Sequence, residues 1–153
     1  MTISNNQQNA QLLAKQCAEH MLNNDSVSKN LGIKIESMDC GQSRVSMTVT
    51  HNMLNGHKTC HGGMIFSFAD SAFAFACNSE NEAAVAASCS IDFLLPAYEN
   101  DKLTATANNS HQGKRTGIYQ VAITNQNNQL IALFKGNSAR IRRNVLPDNK
   151  PIA

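Results

Sequence analysis

One stretch of the chain, residues 51–78, decides the fold: HNMLNGHKTCHGGMIFSFADSAFAFACN. Its first half is a loop rich in His and Asn that ends in the pair Gly62-Gly63. An apolar segment follows from Met64 to Cys77, and it carries a single carboxylate, Asp70. Because this segment is apolar almost all round, it predicts a buried helix. We expect the loop and the helix to hold the chemistry, and the remaining segments to bury the helix.

The segments on either side of this helix show the periodicities of regular structure. Between residues 9 and 23 the positions Leu13, Cys17 and Met21 repeat every four residues, which predicts an amphipathic N-terminal helix that stops at residues 23–26. Other segments alternate in polarity or are rich in small apolar residues. They predict six strands, at 31–36, 44–50, 84–95, 103–110, 118–124 and 130–141.

The order of these elements predicts an α+β fold, because the strands follow one another instead of alternating with helices. A curved antiparallel sheet would wrap the one long helix. The alanine-rich segment 84–95 is predicted to be a central strand, since small side chains let a large element lie against it. We expect a single domain over residues 9–143, with disordered ends at 1–8 and 144–153.

Composition excludes several classes of protein. The net charge of +2 is too small for a general nucleic-acid binder, although it suits a polyanionic small ligand. No apolar run is long enough to span a membrane, and the N-terminus lacks the pattern of a secretory signal. The five cysteines form no CxxC pair and are odd in number, which favours a reducing cytoplasm over a disulfide framework.

Two features of the central stretch are candidates for chemistry. Gly62-Gly63 precedes the helix, whose first N–H groups have no intrahelical acceptor and could bind an oxyanion or a polarised carbonyl. A simple tight turn would also explain two glycines. Asp70 lies among apolar residues, where a carboxylate is costly to bury unless it is paired or functional. It is therefore a candidate general base or nucleophile.

The spacing of these two features predicts an assembly. Gly62 and Asp70 are eight residues apart, which is ~12 Å along a helix. One reacting carbonyl needs both groups within ~3 Å. Two antiparallel helices across a two-fold axis can supply both, because the glycine end of one meets the carboxylate of the other. If the site is catalytic, the protein should be a dimer with two shared sites.

The remaining polar clusters each allow a second interpretation. His51, His57, Cys60 and His61 crowd the loop, but the adjacent Cys60 and His61 would diverge in an extended segment, so we predict no metal site. His61 could orient the loop or donate to the carbonyl, and Asn55 could position water or substrate.

The connection at residues 112–117 combines two cations, a hydroxyl and two glycines. It could clamp a phosphate, although its spacing alone favours a solvated turn.

Several blocks of the chain match one known family. They are Leu54-Asn55-Gly56, Cys60-His61-Gly62-Gly63, the helix from Ile65 to Ala74, Cys77-Asn78-Ser79, Ile91-Asp92-Phe93-Leu94 with Pro96, Asp101 to Ala105, and His111-Gln112-Gly113-Lys114 with Gly117-Ile118-Tyr119. With these blocks the chain, from about residue 31 to 142, closely resembles the PaaI branch of the hotdog-fold acyl-CoA thioesterases, the phenylacetate-degradation thioesterases. Ser71 and Phe68 depart from the Thr and Leu that are common in that branch.

The resemblance implies a hotdog fold that pairs into homodimers and usually homotetramers. It also implies hydrolysis of an acyl-CoA thioester with a phenylacetyl or hydroxyphenylacetyl group. Asp70 would be the catalytic carboxylate and the Gly62 N–H would polarise the carbonyl. The other expected catalytic residues are His61, Asn55 and Ser71. The residues expected to bind substrate or coenzyme A are Gly63, Phe66, Lys114, Arg115, Thr116 and Gly117.

No cofactor is expected beyond the coenzyme A that forms part of the substrate, and the partners would be the acyl-CoA and further copies of this chain. Two other functions remain open. A hotdog hydratase or dehydratase would act on the same class of thioester, but it would pair an Asp with a His in a different loop pattern. A non-enzymatic acyl-CoA-binding module would bind the ester without releasing thiol.

Overall fold

The computed structural model describes residues 3–148 of the chain. Three α-helices and six strands follow one another, with one short 3-10 turn at His51–Met53. The helices are α1 (Asn5–Asn23), α2 (Ser26–Asn30) and α3 (Gly62–Cys77). The strands are β1 (Lys34–Asp39), β2 (Gln42–Thr48), β3 (Glu82–Phe93), β4 (Lys102–Gln112), β5 (Thr116–Thr124) and β6 (Leu130–Asn144).

All six strands form one antiparallel sheet in the order β1-β2-β4-β5-β6-β3. Helix α3 packs against β2, β4, β5, β6 and β3, so that five of the six strands contact it. The predicted α+β fold, an antiparallel sheet wrapped around one long helix, is confirmed. None of the helices described over residues 3–148 is both long and apolar enough to cross a bilayer.

The core forms where α3 lies on the sheet. Phe68, Phe73 and Phe75 are at most 1% exposed, and burial of each side chain contributes ~1.5–3 kcal/mol. The ring of Phe73 also packs edge-on against Tyr119, with ring centroids 5.5 Å apart. A Cβ atom at Gly136 would come within 2.8 Å of the Phe73 ring. Gly136 thus lets β6 approach the helix closely, which fixes the depth of α3 in the sheet.

The structure corrects both predicted ends of the domain. Helix α1 begins at Asn5, not at residue 9, because the Ser4 side chain caps it by accepting a hydrogen bond from the Gln7 N–H. At the other end β6 runs to Asn144, and the Asn81 side chain binds the N–H groups of Val145 and Leu146. Residues 5–8 and 144–146 therefore belong to the domain. Residues 1–2 and 149–153 lie outside the described residues.

Two further predictions about elements were wrong. The residues after α1 were expected to be only a stop, but α2 begins at Ser26, capped by Asp25. The segment 84–95 was expected to be a central strand, yet β3 lies at the edge of the sheet and pairs with β6 alone among the described strands. Most of its small side chains are exposed or only partly buried in the single chain. The first strand is also shifted by three residues, to Lys34–Asp39.

Candidate active site

The start of α3 is held by its own capping residue. His61 lies just before the helix, and its Nδ1 accepts a hydrogen bond from the Gly63 N–H at 2.9 Å. The backbone N–H of His61 donates to Met53 O at 2.7 Å, which fixes the loop below the cap. These two bonds orient the first turn of the helix. The first of these bonds also occupies the N–H of Gly63, a residue that the family resemblance had assigned to substrate binding.

The Gly62 N–H is the open donor at this helix end. Within residues 3–148 it has no protein acceptor, whereas its neighbour Gly63 is capped by His61. The ring of Phe93 lies beside Gly62, and an added Cβ would come within 3.1 Å of that ring. This unpaired N–H lies at the positive end of the helix and next to an aromatic ring. It could therefore donate a hydrogen bond to a polarised carbonyl oxygen.

Asp70 lies in the middle of α3 and is half-buried. It belongs to a stripe of partly accessible positions on the helix, which also contains Phe66, Ser67, Ala74 and Cys77. The sequence had predicted a helix buried on all sides, but a single chain leaves this stripe partly uncovered. Burial raises the pKa of the Asp70 carboxyl, and the negative charge of Asp25 raises that pKa further. A carboxylate with a raised pKa is a stronger base.

Ser71 points away from this stripe. Its side chain is 8% exposed, and its Oγ lies 2.8 Å from Oγ of Ser28 in α2. Ser28 in turn donates a hydrogen bond from its Oγ to Oδ2 of Asp25. The predicted catalytic Ser71 is therefore part of a polar chain between two helices.

Asn55 organises the loop that leads to α3. Its Oδ1 accepts hydrogen bonds from the N–H groups of His57 and Thr59, at 2.9 and 3.2 Å. Its Nδ2 donates to Thr59 Oγ1 at 3.0 Å. All of these contacts hold the loop itself. The histidines and Cys60 of this region do not converge, and residues 3–148 contain no group of three or more side chains that could hold a metal ion.

The predicted phosphate clamp lies at the turn between β4 and β5. Lys114 and Arg115 are exposed there and line a cavity of about 580 Å³. The other residues that line this cavity come mainly from the end of β6; they are Arg140, Arg142, Arg143 and Asn144, with Glu82 and Ala83 from the start of β3. Thr116 and Gly117 belong to β5 and do not line it.

Sequence reasoning missed two groups of residues near these sites. Ser28 lies in a five-residue helix that Asp25 caps, and the only local signal of this helix is an Asp three positions before a Ser. Arg142 and Arg143 were visible as a basic run, but their meeting with Lys114 depends on the pairing of β5 with β6. That pairing joins residues far apart in the chain, and the local pattern of polar and apolar residues does not specify it.

An antiparallel sheet wrapped around one helix, with an open amide at the helix start and a half-buried carboxylate two turns along, defines a hotdog thioesterase. Comparison with known proteins gives the same class. Residues 57–132 match the model of the thioesterase superfamily, 4HBT. The chain is 57% identical over 128 residues to acyl-coenzyme A thioesterase PaaI of Escherichia coli. The aligned region covers 84% of this chain and 91% of that protein.

Solved structures agree with that match. The structure of the Escherichia coli PaaI protein from the phenylacetic acid degradation operon superposes with a TM-score of 0.86 at 54% identity, over 88% of this chain and 97% of that one. A mutant of the phenylacetic acid degradation protein PaaI from Thermus thermophilus gives a TM-score of 0.74 at 34% identity, over 76% and 100% of the two chains. The chain therefore belongs to the PaaI-type hotdog-fold thioesterases of the thioesterase superfamily.

Proposed function

We propose that this chain hydrolyses phenylacetyl-CoA or a hydroxyphenylacetyl-CoA to the free acid and coenzyme A. The observation that carries the proposal is that one helix presents both an open Gly62 N–H and the Asp70 carboxylate, whose pKa is raised. The likeness to a thioesterase of phenylacetic acid degradation supports the choice of an aryl acyl group. Phe66 and Phe93 supply aromatic surface next to the two reacting groups.

The reaction needs one donor and one carboxylate at the same carbonyl. The thioester oxygen would accept the Gly62 N–H, which stabilises the negative charge of the tetrahedral intermediate. Asp70 would take a proton from water, and the resulting hydroxide would add to the carbonyl carbon. Alternatively, Asp70 would attack the carbonyl directly and form a mixed anhydride that water then cleaves. In both routes the C–S bond breaks and coenzyme A leaves as the thiolate.

The assembly that joins these groups would be a homodimer. Gly62 and Asp70 are ~12 Å apart along α3, so the Gly62 amide of one chain would work with the partner subunit's Asp70. Strand β3 offers the interface, since among the described strands it pairs only with β6 and its other edge is free. Exposed apolar residues lie along or just after it: Val85, Phe93, Leu94, Leu95 and Tyr98. Pairing of dimers into a homotetramer is part of the proposal.

The basic cavity would hold the phosphates of coenzyme A. Lys114, Arg115, Arg142 and Arg143 bring four cations to its wall, while Arg140 is paired with Glu80 and Glu82 at 3.5 and 3.1 Å. Arginine binds phosphate with two parallel hydrogen bonds, which suits a ligand with several phosphate groups. We expect the reaction to take place in the cytoplasm and to need no further cofactor.

A thiol-release assay on a panel of acyl-CoA esters tests the proposed reaction. The panel would contain phenylacetyl-CoA, its 3- and 4-hydroxy forms, benzoyl-CoA, straight-chain acyl-CoAs and an enoyl-CoA. We expect the highest kcat/KM for the arylacetyl esters. Binding of these esters without thiol release would indicate a binding module, and consumption of an enoyl-CoA without thiol release would indicate a hydratase.

A further inference from the structure

A second cavity adjoins the basic cavity described above. It is a groove of about 470 Å³ that lies between the end of α1, the end of α3, the start of β3 and the end of β6. Three residues line both cavities: Ala83, Arg143 and Asn144. The two cavities are therefore neighbours, and one extended ligand can reach from the first into the second across this shared border.

The groove differs from the basic cavity in its chemistry. Apolar side chains form most of its wall, and they are Met21, Ala83, Ala84, Val85, Ile141, Val145, Leu146 and Pro147. Within residues 3–148, Arg143 is the only Lys, Arg, Asp or Glu side chain that lines it. Ile141 is 38% exposed, so the groove contains apolar surface that a ligand could remove from water.

A bulge near the end of β6 forms the border between the cavities. Residues 141–143 lie opposite Ala83 alone, because the register between β3 and β6 shifts there. Arg142 has the left-handed backbone that such irregularities use, with φ 57°. Bulges redirect the side chains of a strand. Here Ile141 lines the groove, Arg142 lines the basic cavity and Arg143 lines both.

Arg140 ties this border to the cationic turn between β4 and β5. Its backbone N–H donates to Arg115 O at 2.8 Å. Its Nη1 lies 3.1 Å from a carboxylate oxygen of Glu82 and 3.5 Å from Lys114 O. These contacts hold the turn that carries Lys114 and Arg115 against the ends of β3 and β6. The cations of the turn are therefore held next to the groove.

A ligand that fits both cavities has phosphate groups next to a flat, largely apolar ring system. A purine nucleotide has this chemistry, because a purine has two apolar faces and a polar edge. A guanidinium group binds phosphate and also packs on the face of an aromatic ring, so Arg143 suits the junction of base and phosphates. The groove offers apolar surface to the faces of the base, and His20 and Asn24 at its wall offer polar groups to the edge.

We propose that the groove is the purine subsite for the nucleotide end of coenzyme A, a 3′-phosphorylated adenine nucleotide whose phosphates lie in the basic cavity. This inference rests on the proposed function, because it takes an acyl-CoA as the substrate. The groove also lies near the catalytic carboxylate along α3. Asn78 lines it and directly follows the helix, and Asp70 is eight residues earlier, ~12 Å along the helix axis. The pantetheine arm, which joins the nucleotide to the thioester, is long enough to span this distance.

Calorimetry with two fragments of coenzyme A tests the purine subsite. Adenosine 3′,5′-bisphosphate carries the base and phosphates, and its abasic analogue carries the sugar and phosphates alone. We expect the wild-type protein to bind the nucleotide roughly tenfold more tightly than the abasic analogue, because only the nucleotide covers apolar surface in the groove. Equal Kd values for the two compounds would overturn the proposal.

A variant of the groove separates the base from the phosphates. Ile141→Ser removes apolar surface without a change of charge, so we expect the Kd of the nucleotide to rise roughly five- to tenfold and that of the abasic analogue to stay unchanged. Arg142→Gln should raise both Kd values, because Arg142 lines the basic cavity. Leu12→Ser is the matched control, since Leu12 is 55% exposed on α1 and lines neither cavity. A nucleotide Kd that Ile141→Ser leaves at the wild-type value would overturn the proposal.

Photolabelling of the wild-type protein gives a test that needs no variant. 8-Azidoadenosine 3′,5′-bisphosphate should attach within residues 20–24, 83–85 or 141–147, which line the groove, and attachment only elsewhere would contradict the assignment. The two proposals fail separately. If the protein bound the nucleotide in the groove but released no thiol from any acyl-CoA, the proposed function would fail and the nucleotide site would stand. If it released thiol while the label avoided the groove, only the purine subsite would fail.

Discussion

The Gly62 amide and the Asp70 carboxylate stand at the first and ninth residues of the same helix, α3. Their separation along the helix is ~12 Å, so they cannot reach one carbonyl from a single chain. The amide is open, the carboxylate has a raised pKa, and both adjoin surface that the single chain leaves uncovered. In the proposed homodimer, each active site would therefore combine the Gly62 amide of one chain with the partner subunit's Asp70.

Replacement of the carboxylate should remove turnover and leave binding in place. Asp70→Asn keeps the size of the side chain but removes its basicity, so we expect kcat to fall roughly 10²–10⁴-fold. Thiol release under saturating phenylacetyl-CoA measures kcat, and calorimetry with a non-hydrolysable thioether analogue measures binding. A variant with near-normal turnover would show that Asp70 is not the base or nucleophile.

The same variant should be more stable at neutral pH. Because the pKa of Asp70 is raised above its ordinary value of 3.8, the folded protein binds this proton more tightly than the unfolded chain does. Stability is therefore lost as the pH rises through this window, and Asn at this position avoids the loss. We expect the Tm of Asp70→Asn to exceed that of the wild type by a few degrees at pH 7.5. The difference should close as the pH is lowered towards 3.8; a constant difference would contradict the assignment.

Removal of the Gly62 N–H should be possible without disturbing the helix. Proline is favoured at the first position of a helix, and the extended backbone of His61, at φ -60° and ψ 134°, is the conformation that a following proline requires. We expect Gly62→Pro to lower kcat roughly 10²–10³-fold through loss of the oxyanion donor. Gly62→Ala is the control, because it introduces the same Cβ contact with Phe93 but keeps the N–H. Equal losses in both variants would assign the effect to crowding.

The basic cavity should matter only for substrates that carry the coenzyme A phosphates. We expect Arg115→Ala to raise KM for phenylacetyl-CoA roughly tenfold, since a charge-assisted hydrogen bond contributes ~1.5–3 kcal/mol. Its KM for phenylacetyl-pantetheine, which lacks the nucleotide, should stay unchanged. Lys135→Ala, at an exposed cation outside the cavity, is the control. A similar rise for both substrates would contradict phosphate binding at this turn.

The sequence predicted the parts of this molecule that depend on local pattern. The apolar run after Gly62-Gly63 gave α3 with its C-terminal boundary at Cys77, and alternation or small apolar residues gave all six strands within a few residues. The burial of the helix was predicted from composition alone, which cannot show that the stripe carrying Asp70 stays partly accessible in the single chain. The distance argument for a dimer rests on helix rise, which is fixed by geometry, and it stays a prediction.

What local pattern missed depends on contacts between distant segments. Helix α2 has five residues, too few to show a period, and it is held by Asp25 and by the contact of Ser28 with Ser71. The alanines of β3 led to the expectation of a central strand, but small side chains alone cannot say whether a strand lies in the middle of a sheet or at its edge. The role of Asn55 in holding its own loop likewise became clear only from the structure. The loop contains several polar residues, and the sequence does not show that Asn55 binds Thr59.

A mixed dimer tests the shared active site most directly. Asp70→Asn and Gly62→Pro chains would be co-expressed with different affinity tags, and the doubly tagged species would be purified and assayed for thiol release. Each variant alone should be nearly inactive. One site of the mixed dimer combines an intact Gly62 with an intact Asp70 from the other chain, so activity should return to about half the wild-type value per dimer. Activity no greater than the mean of the two inactive parents would show that each site is built from one chain, and would contradict the account.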